Sequence, residues 1–176
     1  MAYTIEQVKA LVREFVDFPS KGIVFRDIFP IFREPAAVEC LVSHFVERIQ
    51  ATGQQIDVVV GLDARGFLLG PLIALRLGVS FAPVRKGGKL PGSVAQVTYE
   101  KEYGADVFEM EADSLTKGQR VVIVDDLLAT GGSCGAAEEL VRKLGGVVVL
   151  DAFIIRLAEL NGDKRLEAPV YALIDC

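Results

Sequence analysis

The sequence predicts an α/β fold in which an open, mostly parallel sheet is flanked by helices. Three observations favour this class. Short runs rich in Val and Ile recur from Ile56 onward, segments with helical periodicity separate them, and no repeat or low-complexity tract interrupts the pattern. Short apolar strands between helices are typical of parallel sheets that are covered on both faces. The length of 176 residues suits one domain.

The N-terminal part is predicted to contain two helices joined by a loop. Thr4 followed by Gln7 has the pattern of a capping box, and apolar residues at helical spacing extend this first helix to Val16. Asp17–Pro30 contains Pro and Gly breakers and is predicted to be a loop. The second helix is predicted by apolar residues at helical spacing, namely Val38, Leu41, Val42, Phe45, Val46 and Ile49.

The remaining elements follow in a regular order. Strands are predicted by four apolar runs, at Ile56–Val60, Val79–Val84, Val121–Val124 and Val147–Ile155. Helices are predicted between them, at Phe67–Leu77 and Ser133–Leu144. Val94–Met110 has mixed alternation and indicates a hairpin or a flexible insertion.

Composition excludes several classes of protein. Hydrophobic residues make up 51% of the chain, so intrinsic disorder is excluded. A net charge of -5 argues against a duplex-DNA binder, whose affinity depends on neutralising phosphates. The single His and three Cys have neither metal-site nor disulfide spacing. No signal-peptide pattern or membrane-length apolar run is present, and we expect a cytoplasmic protein.

Positive charge is concentrated in one segment. Ala64–Tyr99 contains no Asp or Glu, and it carries five cations, namely Arg65, Arg76, Arg85, Lys86 and Lys89. Such a run is often only a solvated surface. A positive region in an acidic protein also suits a small polyanionic ligand, because the surrounding field disfavours long nucleic acids.

The most specific stretch is Val121–Ser133, in which a buried strand ends in Asp125 and Asp126 and leads through a small-residue loop into a helix. Ligands of open α/β sheets bind beyond the carboxyl ends of strands. The backbone N–H groups and hydroxyls of Thr130–Ser133 suit a phosphate at a helix start. The two acids suit vicinal hydroxyls or a divalent cation. A strand end followed by a helix cap is the simpler alternative, but the order of residue types favours a ribose phosphate.

These residues, with four further segments, resemble the type I phosphoribosyltransferases, which use 5-phosphoribosyl-1-pyrophosphate (PRPP). The further segments are Asp17–Pro19 with Val24–Ile28, Gly61–Phe67, Arg85–Lys86 with Lys89–Gly92, and Tyr99 with Glu102–Gly104. The resemblance covers nearly the whole chain and is closest to the members that act on adenine. It implies an N-terminal hood over about residues 1–34, a core over about 35–176 and a flexible lid over about 88–104 within one domain.

The resemblance also assigns roles to residues. It implies that PRPP is bound by Asp125, Asp126, Ala129, Thr130, Gly131, Gly132, Ser133, Arg65, Arg85, Lys86, Lys89 and Tyr103. Glu102 and Arg65 are the expected catalytic groups, and a non-proline cis peptide is expected in the loop Gly61–Gly66. Magnesium is expected to arrive with PRPP, with Asp125 or Asp126 in contact through water. Cations that reach a neighbouring subunit imply a homodimer.

The expected adenine-binding residues are Val24, Phe25, Arg26 and Leu157. In this interpretation Phe25 stacks on the purine, although an ordinary core position explains it equally well. A backbone carbonyl that accepts from an exocyclic amine would favour adenine over a 6-oxo purine. Arg156 stands where the resemblance predicts an acid.

The expected reaction is therefore adenine plus PRPP giving AMP and pyrophosphate. Two alternatives remain at this level. One is an enzyme of the same family for a 6-oxo purine or another base, and the other is a non-enzymatic regulator that senses PRPP or purine.

Overall fold

The computed structural model describes residues 2–101 and 104–176. The chain divides into two compact units, Met1–Arg48 and Ile49–Cys176. The expected single domain, with its hood and core divided near residue 34, stays a prediction.

Among the described residues, the first unit contains helices and a two-stranded antiparallel sheet. Its elements are helix α1 (Ile5–Lys9), strands β1 (Arg13–Val16) and β2 (Val24–Asp27), helix α2 (Phe29–Phe32) and helix α3 (Pro35–Gln50), whose last turn enters the second unit. The capping box of Thr4 and Gln7 is present, and α3 agrees with the predicted second helix.

The predicted extent of the first helix is wrong. The helix ends at Lys9, and Arg13–Val16 forms β1, which pairs antiparallel with β2 in the segment predicted as a loop. In this pairing Phe15 lies opposite Phe25 and Val16 lies opposite Val24. Cross-strand pairing of aromatic and β-branched residues stabilises strands. Helical periodicity in one segment cannot reveal such a partner further along the chain.

The second unit is a seven-stranded sheet with two helices. Its strands are β3 (Val58–Leu62), β4 (Ser80–Lys86), β5 (Val94–Lys101), β6 (Gly104–Glu111), β7 (Arg120–Leu128), β8 (Val147–Arg156) and β9 (Val170–Asp175). Its α-helices are α4 (Gly66–Leu77) and α5 (Gly132–Lys143). The strand order is β5-β6-β4-β3-β7-β8-β9. In this spatial order, the neighbouring strands β4-β3-β7-β8-β9 are all parallel. The β5–β6 hairpin is antiparallel, and β6 pairs antiparallel with β4.

The two helices pack on opposite faces of this sheet. Val58, Val60 and Leu62 of β3 belong to one buried cluster with Ala137 and Leu140 of α5. Successive strand residues alternate between faces. Phe81 therefore lies on the other face, where its ring is so close to Gly70 of α4 that a Cβ there would be 2.5 Å from it. The predicted open, mostly parallel sheet flanked by helices is confirmed.

The topology determines where a site can form. β3 and β7 are parallel neighbours, so the loops that follow them leave the same edge of the sheet.

The hairpin alternative for Val94–Met110 is also confirmed. Among the described residues, no helix has the length and apolar character that a membrane crossing requires.

Candidate active site

The two acids lie near the carboxyl end of β7, which continues through Leu127 and Leu128 beyond the predicted strand end. The preceding Val121–Val124 is fully buried, Asp125 is half-buried and Asp126 is buried. The Asp126 backbone N–H donates to Oδ1 of Asp125 at 2.9 Å. Asp125 is thereby held against the strand while it still lines a cavity at this edge.

Burial makes ionisation of both acids costly. It raises the pKa of Asp125 well above the usual value, and the neighbouring charge of Asp126 raises it further. Burial also raises the pKa of Asp126, although the Arg65 guanidinium opposes this shift. Hydrogen-bond donors or a cation brought by a ligand would stabilise the charged forms. The pair is therefore suited to a ligand with hydroxyl donors or bound metal.

Arg65 joins the loop after β3 to the acids of β7. Its Nε lies 2.9 Å from Oδ2 of Asp126 as an ion pair. Gly66, which begins α4, permits this approach, because a Cβ there would lie 2.5 Å from the Val124 carbonyl oxygen. The Asp63–Ala64 peptide bond in this loop is cis, as the resemblance implies.

The loop between β7 and α5, residues 129–131, is called the glycine loop below, and it completes the cavity. Gly131 has a φ of 82° immediately before α5, a conformation that favours glycine. The cavity has a volume of about 220 Å³. It brings together eight of the expected PRPP-binding residues, namely Arg65, Asp125, Asp126, Ala129, Thr130, Gly131, Gly132 and Ser133. Its walls therefore combine two carboxylates, one guanidinium and the start of a helix.

Gly162 supports the glycine loop from behind, and the sequence analysis did not identify it. A Cβ at Gly162 would lie 2.1 Å from the Ala129 carbonyl oxygen and 2.8 Å from the Gly131 nitrogen. The reverse contact is equally close, since a Cβ at Gly131 would lie 2.3 Å from the Gly162 carbonyl oxygen. The dipeptide Asn161–Gly162 is a turn signal, but its position behind the loop depends on tertiary structure.

The other three cations expected to bind PRPP, Arg85, Lys86 and Lys89, do not line the cavity, and Arg85 lies beside the loop after β3. Nε of Arg85 lies 3.4 Å from Oδ2 of Asp63, and its Nη1 donates to the Lys89 carbonyl at 3.1 Å. Lys86 and Lys89 are exposed. Arg85 thus connects the two segments that the resemblance assigns to pyrophosphate, while both lysines remain at the surface.

The expected lid begins in a turn and continues as a strand. Val94–Lys101 is β5, and Tyr99 on it receives a hydrogen bond from the Ser133 hydroxyl at 3.5 Å. The Tyr99 ring packs on Phe108 of β6 with centroids 4.9 Å apart. The hairpin therefore reaches the glycine loop through Tyr99. Glu102 and Tyr103 lie outside the described residues, and their roles stay predictions.

The expected adenine-binding residues are divided between the two units. In the first unit, Val24 is exposed and Phe25 is half-buried, with its ring edge-on to Phe18 at a centroid distance of 5.2 Å. Nε of Arg26 lies 3.2 Å from Oε1 of Glu14. In the second unit, the Leu157 N–H donates to the Leu128 carbonyl at 2.9 Å, which places Leu157 beside the end of β7.

Arg156 stands where the resemblance predicts an acid, and it forms ion pairs with two acids. Its Nε lies 2.7 Å from Asp175 of β9, and its Nη1 lies 3.6 Å from Asp163. The ion pair with Asp163 connects the end of β8 to the short 3₁₀ turn Gly162–Arg165, whereas the ion pair with Asp175 connects β8 to β9. Arg156 therefore helps to hold the turn that supports the glycine loop.

Comparison with known proteins gives a consistent family. The family model described as "Phosphoribosyl transferase domain" matches residues 33–171. An adenine phosphoribosyltransferase from Yarrowia lipolytica is 51% identical over 170 residues, which cover 96% of this chain and 93% of that protein.

Two solved structures are similar over almost their whole length. The adenine phosphoribosyltransferase of Saccharomyces cerevisiae, complexed with adenine and D-2,5-dideoxy-2,5-imino-altritol 1,6-bisphosphate, has a TM-score of 0.94 and 46% identity, covering 96% of this chain and 97% of that one. The enzyme from Thermoanaerobacter pseudethanolicus has a TM-score of 0.94 and 44% identity, with coverages of 98% and 100%. Neither alternative from the sequence, the regulator or the 6-oxo-purine enzyme, gains support from these relatives. The chain belongs to the phosphoribosyltransferase family, and within it to the adenine phosphoribosyltransferases.

Proposed function

We propose that this chain transfers the 5-phosphoribosyl group of PRPP to N9 of adenine, forming AMP and releasing pyrophosphate. The observation that carries the proposal is the single cavity in which Asp125, Asp126 and Arg65 meet the glycine loop at the start of α5. The relatives named adenine phosphoribosyltransferase support the same reaction.

The 5′-phosphate binds at the glycine loop. Backbone N–H groups at a helix start attract anions, and the Thr130 and Ser133 hydroxyls add further donors. The ribose hydroxyls donate to Asp125 and Asp126, whose ionised carboxylates act solely as acceptors and accept more strongly than the protonated acids. Because burial raises the pKa of both acids, ribose binding is coupled to their deprotonation. PRPP affinity is therefore expected to fall at acid pH.

The pyrophosphate lies toward Arg65 and the segment that contains Arg85, Lys86 and Lys89. Negative charge on this leaving group rises as its bond to C1 of the ribose breaks, and fixed cations stabilise that charge. Val24, Phe25, Arg26 and Leu157 are the residues proposed to bind adenine. Glu102 accepts the proton that leaves N9, and the β5–β6 hairpin with Tyr103 excludes water from the reacting C1.

Magnesium is proposed as the cofactor, and the residues of the site fit it. Asp126 Oδ2 is buried and accepts no hydrogen bond from a described residue; the Arg65 Nε beside it forms an ion pair without hydrogen-bond geometry. Among the described residues, no group of three or more metal-ligating side chains is present. Mg²⁺ is commonly held by one or two carboxylates together with substrate phosphates. Asp125 or Asp126 would contact it through water, and when bound it would neutralise charge on pyrophosphate.

A homodimer in the cytoplasm is the proposed state. Cys40, Cys134 and Cys176 are free thiols, as a reducing compartment favours. Apolar side chains are exposed on both units, among them Val16 and Phe18 of the first and Leu75 of α4. A dimer interface that covers such side chains would gain free energy from their removal from water. Sedimentation equilibrium measures the state, and a monomer at micromolar concentration would contradict the dimer.

The reaction is tested with radiolabelled adenine, hypoxanthine and guanine, each incubated with PRPP and Mg²⁺. The expected products are AMP and pyrophosphate from adenine, with little turnover of the 6-oxo purines. Turnover of hypoxanthine or guanine in preference to adenine would contradict the proposed specificity. No turnover with any base, combined with PRPP binding in calorimetry, would instead indicate the regulator.

A further inference from the structure

Glu109 of β6 is a buried acid that none of the roles above uses. It is 1% exposed and lies opposite Arg85 in the antiparallel pairing of β4 with β6. Its Oε1 accepts from the backbone N–H groups of Lys89 at 2.7 Å and Leu90 at 2.8 Å. Its Oε2 accepts from the side-chain amide of Gln96 at 3.2 Å.

The carboxylate is stabilised in its charged form. Burial by itself raises the pKa of Glu109, but the N–H groups of Gly88, Leu90 and Lys89 and the amide of Gln96 together lower it below the usual value. A carboxylate that accepts several backbone N–H bonds is held strongly in its ionised state. Glu109 is therefore a fixed negative charge around which the turn after β4 is folded.

A continuous set of contacts leads from this turn to the loop after β3. The Lys89 N–H donates to Glu109, and the Lys89 carbonyl accepts a hydrogen bond from Arg85 at 3.1 Å. The same Arg85 side chain lies 3.4 Å from Asp63, whose cis peptide bond with Ala64 precedes Arg65. The position of Lys89 thus affects where the Arg85 guanidinium can lie.

We propose that Glu109 is a positioning residue for the pyrophosphate end of the site, acting through the backbone of Lys89 and Leu90 on Arg85 and Lys89. The ligand assignment rests on the proposed function. Glu109 itself contacts neither substrate. Without its carboxylate, the turn loses its common acceptor, and Arg85 and Lys89 lose their fixed presentation to the leaving group. Recognition of the purine is not affected, because no contact in this set involves the base.

The test uses Glu109→Gln, Glu109→Ala and a matched control, Glu111→Ala, which removes a carboxylate two residues along the same strand. Two measurements are made on each full-length protein. The first is the amide ¹H and ¹⁵N shifts of Lys89 and Leu90 in the unliganded state. The second is the KM for pyrophosphate and for AMP in the reverse reaction, with thermal unfolding recorded alongside.

We expect Glu109→Ala to move both amide shifts upfield and to raise the KM for pyrophosphate about tenfold, because several charge-assisted hydrogen bonds are lost. Glu109→Gln keeps an acceptor for the two N–H groups but presents an amide to Gln96, so its KM should rise by only about threefold. The KM for AMP should stay within about twofold in all variants, and Glu111→Ala should match the wild type in both measurements.

Unchanged Lys89 and Leu90 amide shifts in both Glu109 variants would overturn the proposal, as would equal changes in the two KM values. If Glu109→Ala does not fold, Glu109→Gln decides by the same criteria. If the wild type turns over no purine, the proposed function fails separately. In that case, calorimetry measures the affinity of the wild type and of Glu109→Gln for pyrophosphate. Equal affinities would overturn the positioning role, and so would the absence of binding by the wild type.

Discussion

The guanidinium of Arg65 lies 2.9 Å from the carboxylate of Asp126, and this ion pair joins the loop after β3 to the neighbouring parallel strand β7. The loop after β3 carries Arg65, which is proposed to contact pyrophosphate. The end of β7 and the loop after it carry the residues proposed for the ribose and the 5′-phosphate. The residues proposed for both ends of PRPP therefore lie at a single edge of the sheet.

Replacing Asp125 or Asp126 by Asn should weaken PRPP binding without destabilising the fold. The pKa of each acid is raised in the folded chain, so ionisation at neutral pH opposes folding and the neutral amide removes that cost. The KM for PRPP should rise about tenfold or more, because charged hydrogen-bond acceptors are lost. Steady-state kinetics and thermal unfolding check this, with the exposed Asp113→Asn as control. An unaltered KM for PRPP in both variants would remove the acids from the ribose site.

Gly162→Ala should impair the 5′-phosphate site. The added methyl group would meet the Ala129 carbonyl and the Gly131 nitrogen, which cannot move without displacing the phosphate-binding amides. Displacement of this size typically costs about tenfold to 100-fold in activity, and we expect it in the KM for PRPP. Gly135→Ala in α5 is the matched control, since a Cβ there meets only a Leu166 methyl at 3.9 Å. Wild-type kinetics for Gly162→Ala would show that the loop tolerates the methyl group.

Asp151 should make the folded chain less stable as pH rises. It is buried on β8, and burial together with the charge of Glu138 raises its pKa from 3.8 to about 8. Cys134 and Glu138 are the titratable groups that face it from α5. A raised folded-state pKa means that the folded chain binds more protons than the unfolded chain between these values, so stability falls across that window.

The measurement for Asp151 is the free energy of unfolding from pH 4 to pH 8, compared with Asp151→Asn. The difference in the free energy of unfolding, in favour of Asp151→Asn, should grow by at most about 1.4 kcal/mol per pH unit. Asp113→Asn, at an exposed position, should run parallel to the wild type. A constant difference between Asp151→Asn and wild type over the whole range would contradict the raised pKa.

Glu102→Gln should lower kcat while the fold and the KM for PRPP are retained. The amide cannot accept the proton from N9, and loss of a general base typically costs about 100-fold to 10,000-fold. Glu100→Gln, two residues earlier in the chain, is the control for the removal of a negative charge. Near-wild-type kcat in Glu102→Gln would exclude this residue from proton transfer.

Local sequence was sufficient for most elements of the second unit. The apolar runs that predict β3, β4, β7 and β8 agree with the observed strands to within a few residues, and α4 and α5 agree similarly. These segments bury continuous Val and Ile runs or one helical face, so their pattern is complete within one segment. β9 was not predicted, since its mixed burial gives no such run. β1 and β2 escaped prediction because each depends on the other.

The order of residue types in Val121–Ser133 by itself determined that two acids lie near the carboxyl end of a strand, shortly before the start of a helix. That chemistry indicated a ribose-phosphate site. Only the tertiary structure decided which distant groups complete it. Arg65 meets Asp126, Gly162 supports Gly131, and Glu109 organises the turn at Lys89 through contacts between segments far apart in the chain. Such contacts arise because parallel strands bring their carboxyl ends to one edge, whereas a local pattern carries information only about its own segment.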